Sequence, residues 1–399
     1  MSSAPPSPGA VAQRVPSGAG KAVAGFLVSG FLLAFLGAIL PAWGAHRDPP
    51  EFAVVGNYFL CFGIGVVVSA VLGRGMLARR GISLSLAFSC AVACAALVFL
   101  AFVSPPASAW WRAAGLLILG AAAGVLNLAL FHALSGSYTP DPAGTVTRGG
   151  VLFGLGSLAA TLLVAATLYA GLATILCVMA VIPGIFAVIY ARSSYPAAPR
   201  RAEPTMRQAL KDFHTPGAVL FALLVFFQFG NEWSIAGWMP LFLIRRVGLS
   251  PTAALFNLAM YWLFLMAGRL GAAAILPRVR HGRLLILSVL SALFGCLILY
   301  STKTGFGAAS AALFLGAGYA SIYPLLAEAI GRRFPYYHPG FFNGILSVAM
   351  LGGLLAPATL GYAAARWGVG VAVGIPLLGA CMVMVLMASI WLESKVTGR

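Results

Sequence analysis

The chain has 399 residues, of which 61% are hydrophobic and only 8% are charged, and this composition excludes an ordinary soluble globular domain. Lysine and arginine outnumber aspartate and glutamate by 25 to 8, which gives a formal net charge of +17. The basic residues lie in short gaps between apolar runs, with no stripe of interleaved aromatics. This pattern argues against nucleic-acid binding and is typical of a multi-pass membrane protein.

Twelve apolar stretches are long enough to cross a bilayer as helices. A stretch rich in Pro, Ser, Ala and Gly precedes them, and we expect it to be a disordered tail. The first stretch is long enough to span and is followed by more spans, so we interpret it as an uncleaved helix. The predicted spans are 22–43, 52–73, 83–103, 113–134, 149–169, 172–191, 216–243, 253–276, 284–301, 306–330, 341–364 and 369–392.

The basic residues predict the orientation of these spans. With the N-terminus inside, 18 of the 25 lysines and arginines fall in inner segments and six in outer ones. Such a bias predicts that both termini are cytoplasmic. We expect the protein to lie in the plasma membrane. The predicted division is a cytoplasmic tail at 1–21, an N-terminal six-helix bundle at 22–191, a cytoplasmic linker at 192–215, a C-terminal six-helix bundle at 216–393 and a tail at 394–399.

An internal repeat relates the two predicted bundles. Leu119-Gly120 recurs as Leu315-Gly316, and Leu155-Gly156 recurs as Leu351-Gly352, both at an offset of about 196 residues. Because each half holds six spans, the two repeats have the same orientation and are related by an axis along the membrane normal. The fold class is therefore all-α and integral to the membrane, with twelve helices in two bundles.

This six-plus-six arrangement with a basic linker resembles the major facilitator superfamily. The segment from Gly73 to Gly81 is similar to that superfamily's Gly-x-x-x-Asp-Arg-x-Gly signature: Arg79 and Gly81 match, and Ala78 stands in place of the Asp. The resemblance covers about residues 22–392. It implies a transporter that works by alternating access of two bundles around a site near the middle of the membrane.

Helix 7 resembles a narrower branch, the fucose- and glucose-type sugar permeases. It reads Gly230-Asn-Glu-Trp-Ser-Ile-Ala-Gly-Trp238, and patches around Gly268-Arg269 and Gly318–Pro324 look similar too. Members of that branch carry acidic residues in helices 1 and 4, whereas helix 4 of this chain offers Asn127 and His132. The resemblance implies a monosaccharide such as a hexose, or a similar polyol, as the substrate.

Glu232 is the most informative residue because a carboxylate at bilayer depth is expensive, by roughly 2.5–3.5 kcal/mol on insertion scales. Gln228, Asn231, Glu232 and Trp238 fall on one helical stripe. Amide and carboxylate groups can bind sugar hydroxyls, and a broad aromatic ring can pack against sugar C–H groups. The alternative is that Glu232 serves only as a hydrogen-bonding post between helices.

Other polar residues are candidates for the same cavity. Helix 8 carries Asn257 and Tyr261 at i, i+4, and helix 10 carries Tyr319 and Tyr323 at the same spacing. Asn127 aligns with Tyr323 through the repeat and is the candidate from the N-terminal half. Each of these side chains, considered alone, also fits a packing role. As a further hypothesis, Glu232 takes up a coupling proton.

Charged residues at the cytoplasmic ends of the helices are candidates for gates, with helix packing as the alternative. A gate would need charge pairs that form and break as the two halves rock. Depth alone suggests that Glu328 pairs with Arg269, Arg278 or Arg280. The gate candidates are Arg74, Arg79, Arg80, Arg269, Arg278, Glu328 and His132.

Enzyme signatures and metal sites are not indicated. The sequence has no phosphate-binding Gly-x-x-x-x-Gly-Lys-Ser/Thr loop, no Gly-x-Ser-x-Gly elbow and no His-Glu-x-x-His helix. Its six cysteines show no CxxC spacing, so no cofactor or metal is expected. The predicted partners are a small-molecule substrate, protons and the lipid bilayer, and we expect a monomer.

Two other functions stay open at this level. The first is proton-coupled efflux of lipophilic cations or amphiphiles, with Glu232 as the counter-charge and the aromatics as an apolar wall. The second is a membrane sensor or lipid-binding scaffold that transports nothing, although the short loops argue against it. We therefore predict a secondary transporter that is not an enzyme.

Overall fold

The computed structural model describes residues 19–138, 142–195, 211–334 and 344–398. Most of the predicted tail at 1–21 and most of the predicted linker at 192–215 lie outside these residues, as does the start of the predicted span at 341–364. The predicted division into tails, bundles and linker therefore stays a prediction in its exact boundaries.

Twelve helices in the described part of the chain are long and apolar enough to cross a membrane, as the hydropathy pattern predicted. The chain forms one continuous helical stretch from Phe52 to Phe102, broken only at Gly81 (φ 78°), and its two spans are numbered separately. The helices are α1 (Ala19–Ile39), α2 (52–80), α3 (82–102), α4 (Ala109–Tyr138), α5 (Pro142–Thr167), α6 (Leu172–Ala191), α7 (Pro216–Phe242), α8 (Pro251–Ile275), α9 (His281–Ser301), α10 (Gly305–Arg333), α11 (Gly344–Trp367) and α12 (Val371–Thr397).

Local sequence signals set the starts of several helices. Thr215 accepts a hydrogen bond from the backbone N–H of Ala218, and Pro216 occupies the first helical position of α7. Ser250 and Pro251 repeat this arrangement at the start of α8, and Thr304 caps α10. A side-chain cap satisfies one of the backbone N–H groups that a helix start leaves without a partner, so these helices begin where the sequence indicates.

The helices pack as two six-helix bundles with matching neighbours. In the first half α1 packs on α5 and α4 packs on α2 and α3; in the second half α7 packs on α11 and α10 packs on α8 and α9. The halves meet through α2 against α11, α5 against α8 and α1 against α7. Each of these pairings has a counterpart six helices later, as expected for two parallel repeats.

Close backbone contacts join the two halves at one end of the molecule. We call this end the outer end, following the predicted orientation, and it comprises the loops 40–51, 103–108, 168–171, 243–250, 302–304 and 368–370. A Cβ atom added at Gly361 of α11 would overlap the backbone of Gly56 in α2. A Cβ atom added at Gly37 of α1 would overlap the carbonyl oxygen of Ala236 in α7. Small residues at these positions therefore let the two halves approach closely.

Polar contacts reinforce this outer closure. The Arg245 guanidinium forms an ion pair with Asp48 at 2.7 Å, and it donates a second hydrogen bond to the carbonyl oxygen of His46. The Tyr362 hydroxyl of α11 donates to the side-chain oxygen of Asn57 in α2 at 2.5 Å. Partial burial and the nearby Arg47 and Arg245 lower the pKa of His46, so the imidazole is neutral beside this arginine at neutral pH. The outer end is thus closed by contacts between halves.

We predict that Gly361→Val opens the outer closure. The added side chain would meet the Gly56 backbone, and overpacking of about 1–3 kcal/mol corresponds to roughly a five- to 160-fold loss of the closed form. Solute uptake into proteoliposomes should fall by a similar factor. Gly271→Val is the matched control, because a Cβ atom there meets nothing within 4 Å while the same β-branched residue enters a helix. Equal uptake by the two variants would contradict this view of the closure.

Candidate functional site

A cavity of about 290 Å³ lies between the two halves. Its lining comes from α1, α2, α4 and α5 on one side and from α7, α8, α10 and α11 on the other. The lining residues reach from the middle of the helices towards the ends opposite the outer closure, for example Thr145 at the start of α5 and Leu346 at the start of α11. A cavity between two repeats, closed at one end, is the place where a solute can bind during alternating access.

Helix α7 contributes one stripe of its surface to this cavity. The lining positions are Phe229, Glu232, Trp233, Ala236 and Gly237, which follow the i, i+3, i+4 spacing of a helix face. The predicted stripe shares only Glu232 with this set, so the exposed face of α7 is rotated away from Gln228 and Asn231.

Glu232 and Arg269 are the two charged side chains in the described lining of the cavity. They influence each other electrostatically, but no described ion pair within 4.0 Å joins them. Instead, the Arg269 guanidinium donates a hydrogen bond to the carbonyl oxygen of Gly150 in α5 at 2.5 Å. The cavity therefore presents one carboxylate and one guanidinium in its described lining.

Two further predicted substrate residues line the cavity, Asn127 of α4 and Tyr323 of α10. The Asn127 amide already makes two protein hydrogen bonds. Its oxygen accepts from Ser29 at 2.7 Å, and its nitrogen donates to the Ala123 carbonyl at 3.0 Å. This satisfied amide can accept one more hydrogen bond at its oxygen, since an amide oxygen has two lone pairs.

The other predicted substrate residues are buried in the C-terminal half, outside the lining. Asn231 faces Gly379 of α12. The Trp238 indole nitrogen donates to the Pro357 carbonyl at 2.9 Å, and its ring stacks on Phe59 of α2 with centroids 5.9 Å apart. Trp238 therefore packs behind Phe59 and Pro357, two residues of the lining. The remaining residues of this group are Gln228, Asn257, Tyr261 and Tyr319, which are all buried.

Several of these buried polar atoms make no hydrogen bond with any described protein group. They include the side-chain nitrogen of Asn231, the oxygen of Asn257, the hydroxyl of Tyr261 and Nε of Arg269. All four belong to α7 and α8. A buried polar atom left without a partner costs about 1–3 kcal/mol, so a water or a shift of these helices that supplied a partner would stabilise this part of the C-terminal half.

The N-terminal half contributes an apolar and largely aromatic wall. Five phenylalanines of that half line the cavity, and Trp233 of α7 packs edge-on against one of them, Phe153, with centroids 6.3 Å apart. Sequence reasoning missed this wall because the chain has 26 phenylalanines and no spacing distinguishes these five. The phenylalanines are Phe26, Phe59, Phe62, Phe131 and Phe153.

The gate candidates other than Arg269 lie away from the cavity lining. Glu328 accepts from Arg332 one turn along its own helix, and its carboxylate lies 3.3 Å from Nε2 of His281, rather than pairing with Arg269, Arg278 or Arg280. The Arg278 side chain donates to the Ala274 carbonyl of its own helix. His132 Nδ1 contacts the Leu128 carbonyl at 2.9 Å. Exposed positions near the turn at Gly81 hold Arg74, Arg79 and Arg80, and a role for these residues in gating stays a prediction.

A buried ion pair that the sequence did not reveal joins α10 to α12. Arg333 donates to the Glu393 carboxylate at 2.6 Å, and their side chains are only 18% and 13% exposed. The pair lies against the start of α7, because a Cβ atom at Gly217 would meet both side chains. It therefore fastens three helices of the C-terminal half at the end opposite the outer closure. Within the described residues, no cluster of His, Cys, Asp and Glu could hold a metal ion.

Comparison with known proteins identifies the family to which this arrangement belongs. The sequence pattern of the Major Facilitator Superfamily matches residues 148–357, more than half of the chain. An uncharacterised MFS-type transporter of Yersinia pestis is 24% identical over 351 residues, and the match covers 88% of this chain and 89% of that protein.

Solved transporters have the same fold. A D-xylose–proton symporter is similar with a TM-score of 0.72 at 16% identity, over 94% of this chain and 96% of the other. The nucleoside transporter NupG gives a TM-score of 0.72 at 13% identity, over 94% and 98%. The xylose transporter XylE from E. coli, in a partially occluded inward-open conformation, gives 0.69 at 14% identity, over 94% and 97%. At these identities the likeness shows the fold alone.

We predict that Glu393→Ala destabilises the protein far more than Glu328→Ala. Removing one partner of a buried ion pair leaves an uncompensated charge and costs roughly 3–5 kcal/mol, whereas an exposed pair contributes about 0–1 kcal/mol. Thermal unfolding of the two purified variants in detergent measures the difference. A similar loss in both would show that the Arg333–Glu393 pair is not the stronger of the two.

Proposed function

This chain belongs to the major facilitator superfamily, and on that premise we propose that it carries a monosaccharide or a similar polyol by alternating access, with Glu232 as the residue that binds substrate hydroxyls and takes up the coupling proton. As a member of this family, the protein is a multi-pass membrane transporter of small molecules. We propose the substrate class and the coupling to protons.

The observation that carries the proposal is the polar surrounding of Glu232. This carboxylate lines the cavity, and it is an electrostatic neighbour of the buried phenols Tyr261 and Tyr319. The Arg269 guanidinium and the Asn127 amide line the same cavity. A molecule with several hydroxyl groups supplies both donors and acceptors, so it can bind this carboxylate, guanidinium and amide, whereas an apolar molecule cannot.

The opposite wall also supports a sugar. A sugar ring has C–H faces that pack against aromatic rings while its hydroxyls point to the edges. Trp233 lies beside Glu232 in the lining, and five phenylalanines face it from the N-terminal half. The cavity thus has an aromatic wall for the apolar faces of such a molecule and a carboxylate for its polar edges.

The solved relatives support a hydroxyl-bearing substrate by analogy of fold. One of them is named as a symporter of D-xylose with a proton and another as a nucleoside transporter. A pentose and a nucleoside both carry sugar hydroxyls. Because identity is low in both cases, this analogy adds support for the class of substrate and does not specify a sugar for this chain.

A second candidate, efflux of lipophilic cations or amphiphiles, is favoured by the apolar character of the cavity. Aromatic and aliphatic side chains make up most of the lining, and Glu232 is its carboxylate. Arg269 in the same lining opposes this candidate because its positive charge would repel a cation. We therefore rank the polyol first, and transport measurements separate the two.

We predict that Glu232→Gln abolishes proton-driven accumulation but retains exchange. The amide keeps hydrogen-bonding capacity and loses the titratable group, so the apparent affinity should weaken by about ten-fold, the change expected when a charged hydrogen bond becomes a neutral one. The measurement is uptake of labelled glucose, fucose or xylose into proteoliposomes with and without an inward proton gradient, alongside sugar–sugar exchange.

The matched control is Glu51→Gln, which removes an exposed carboxylate at the outer end and should behave as wild type. Gradient-driven uptake by Glu232→Gln would contradict the coupling role of this residue. Uptake of tetraphenylphosphonium by wild type, with every sugar inert, would contradict the polyol and establish the second candidate.

A further inference from the structure

Arg269 connects the two halves beside the cavity. It belongs to α8 in the C-terminal half, and its guanidinium donates to the carbonyl oxygen of Gly150 on α5 in the N-terminal half at 2.5 Å. Hydrogen bonds from a charged donor are about twice as strong as those between neutral groups. This bond therefore contributes to the α5–α8 contact in the conformation that is closed at the outer end.

Gly150 is suited to receive this guanidinium. A Cβ atom at position 150 would lie 2.9 Å from a terminal nitrogen of Arg269 and 3.3 Å from two of its carbons. An alanine at this position would therefore displace the arginine from the carbonyl. The glycine leaves space for a side chain that crosses from the other half.

Glu232 is a second acceptor for the same guanidinium. Both residues line the cavity, and the two charges attract each other without a described ion pair within 4.0 Å. Nε of Arg269 is buried and has no described partner. Arg269 can therefore bind the N-terminal half through Gly150 or move towards the carboxylate on α7, and an ionised carboxylate is the stronger acceptor.

We propose that Arg269 is a positioning residue that converts the charge of Glu232 into a change of the α5–α8 contact. The proposal rests on the proposed role of Glu232 in proton binding. While Glu232 carries a proton, Arg269 stays on the Gly150 carbonyl and the halves are joined there. When the proton leaves for the aqueous side of the cavity, the carboxylate draws Arg269 away from Gly150 and this contact weakens.

Among the groups around Glu232, Arg269 is the one that carries a charge and can therefore respond to a change of charge on Glu232. From α8 the titratable neighbours are Arg269 and Tyr261, and from α10 the neighbour is Tyr319. On α7 itself the neighbour is the uncharged amide of Gln228, one turn before Glu232. The phenols are uncharged in the working range of pH, and the part of the lining that comes from the N-terminal half has no charged side chain. Arg269 is thus the cation that a change of charge at Glu232 moves.

Spin labels can measure the contact directly. Ala78→Cys and Ala274→Cys place labels at exposed sites in the two halves, at the end opposite the outer closure, in a full-length protein whose six cysteines have been replaced and whose transport has been verified. Distances come from double electron–electron resonance in liposomes. In this background we expect the long-distance population to grow by about ten-fold from acidic to alkaline pH, the effect of losing one charge-assisted hydrogen bond.

Three variants test the link. In Glu232→Gln the distance between the two labels should stay short at every pH. In Gly150→Ala it should stay long at every pH, because the added methyl group keeps Arg269 from the carbonyl oxygen of residue 150. In Arg269→Gln the distance should no longer depend on pH. Arg283→Gln, which removes an exposed basic residue at the same end, is the control and should respond as the parent does.

The outcomes separate this proposal from the proposed function. A pH response that persists in Arg269→Gln and disappears in Glu232→Gln would overturn the role of Arg269 and leave Glu232 as the coupling site. A response that is unchanged in both variants would overturn the role of Arg269 as well, because Glu232 would then not drive the motion. A parent protein that accumulates sugar with the gradient but shows one distance at every pH would also overturn it.

Discussion

The requirement that polar groups find partners inside a membrane governs the rest of this structure. Twelve helices satisfy their own backbone groups, so the side chains that remain polar at bilayer depth must face protein or a cavity. Glu232 meets this requirement by lining the space between the halves. This position, between the two repeats, keeps the carboxylate away from lipid.

The two halves share an architecture but differ in chemistry. Helix pairings repeat six helices apart, yet both charged side chains in the described lining belong to the C-terminal half, as do the buried polar atoms without partners around them. The corresponding side of the N-terminal half offers phenylalanines and an amide that is already hydrogen-bonded. The repeat therefore preserves the scaffold, while the charged groups of the cavity lining are concentrated in one half.

The sequence predicted the helices well because hydropathy and basic residues respond to the membrane itself, which acts on every span alike. It predicted the face of α7 less well. The 3.6-residue period of an α-helix predicts which residues share a face. It does not predict which way that face turns, because this depends on the helices packed around it. In this structure Asn231 faces Gly379 of α12. Long-range pairs such as Arg333 with Glu393 leave no local pattern, and Glu328 pairs with His281 because α9 begins at the depth where α10 approaches its end.

Because the charged groups of the lining belong to one half, alternating access requires a mechanical link from them to the other half. Glycine contacts at the outer end bring the backbones together without chemical selectivity. The bond from Arg269 to the Gly150 carbonyl differs, because its donor is a charged group that lines the cavity together with Glu232. In the proposed role of Arg269, this shared donor lets a change of charge in the cavity alter the α5–α8 contact, and a neutral packing contact cannot do this because it has no dependence on charge.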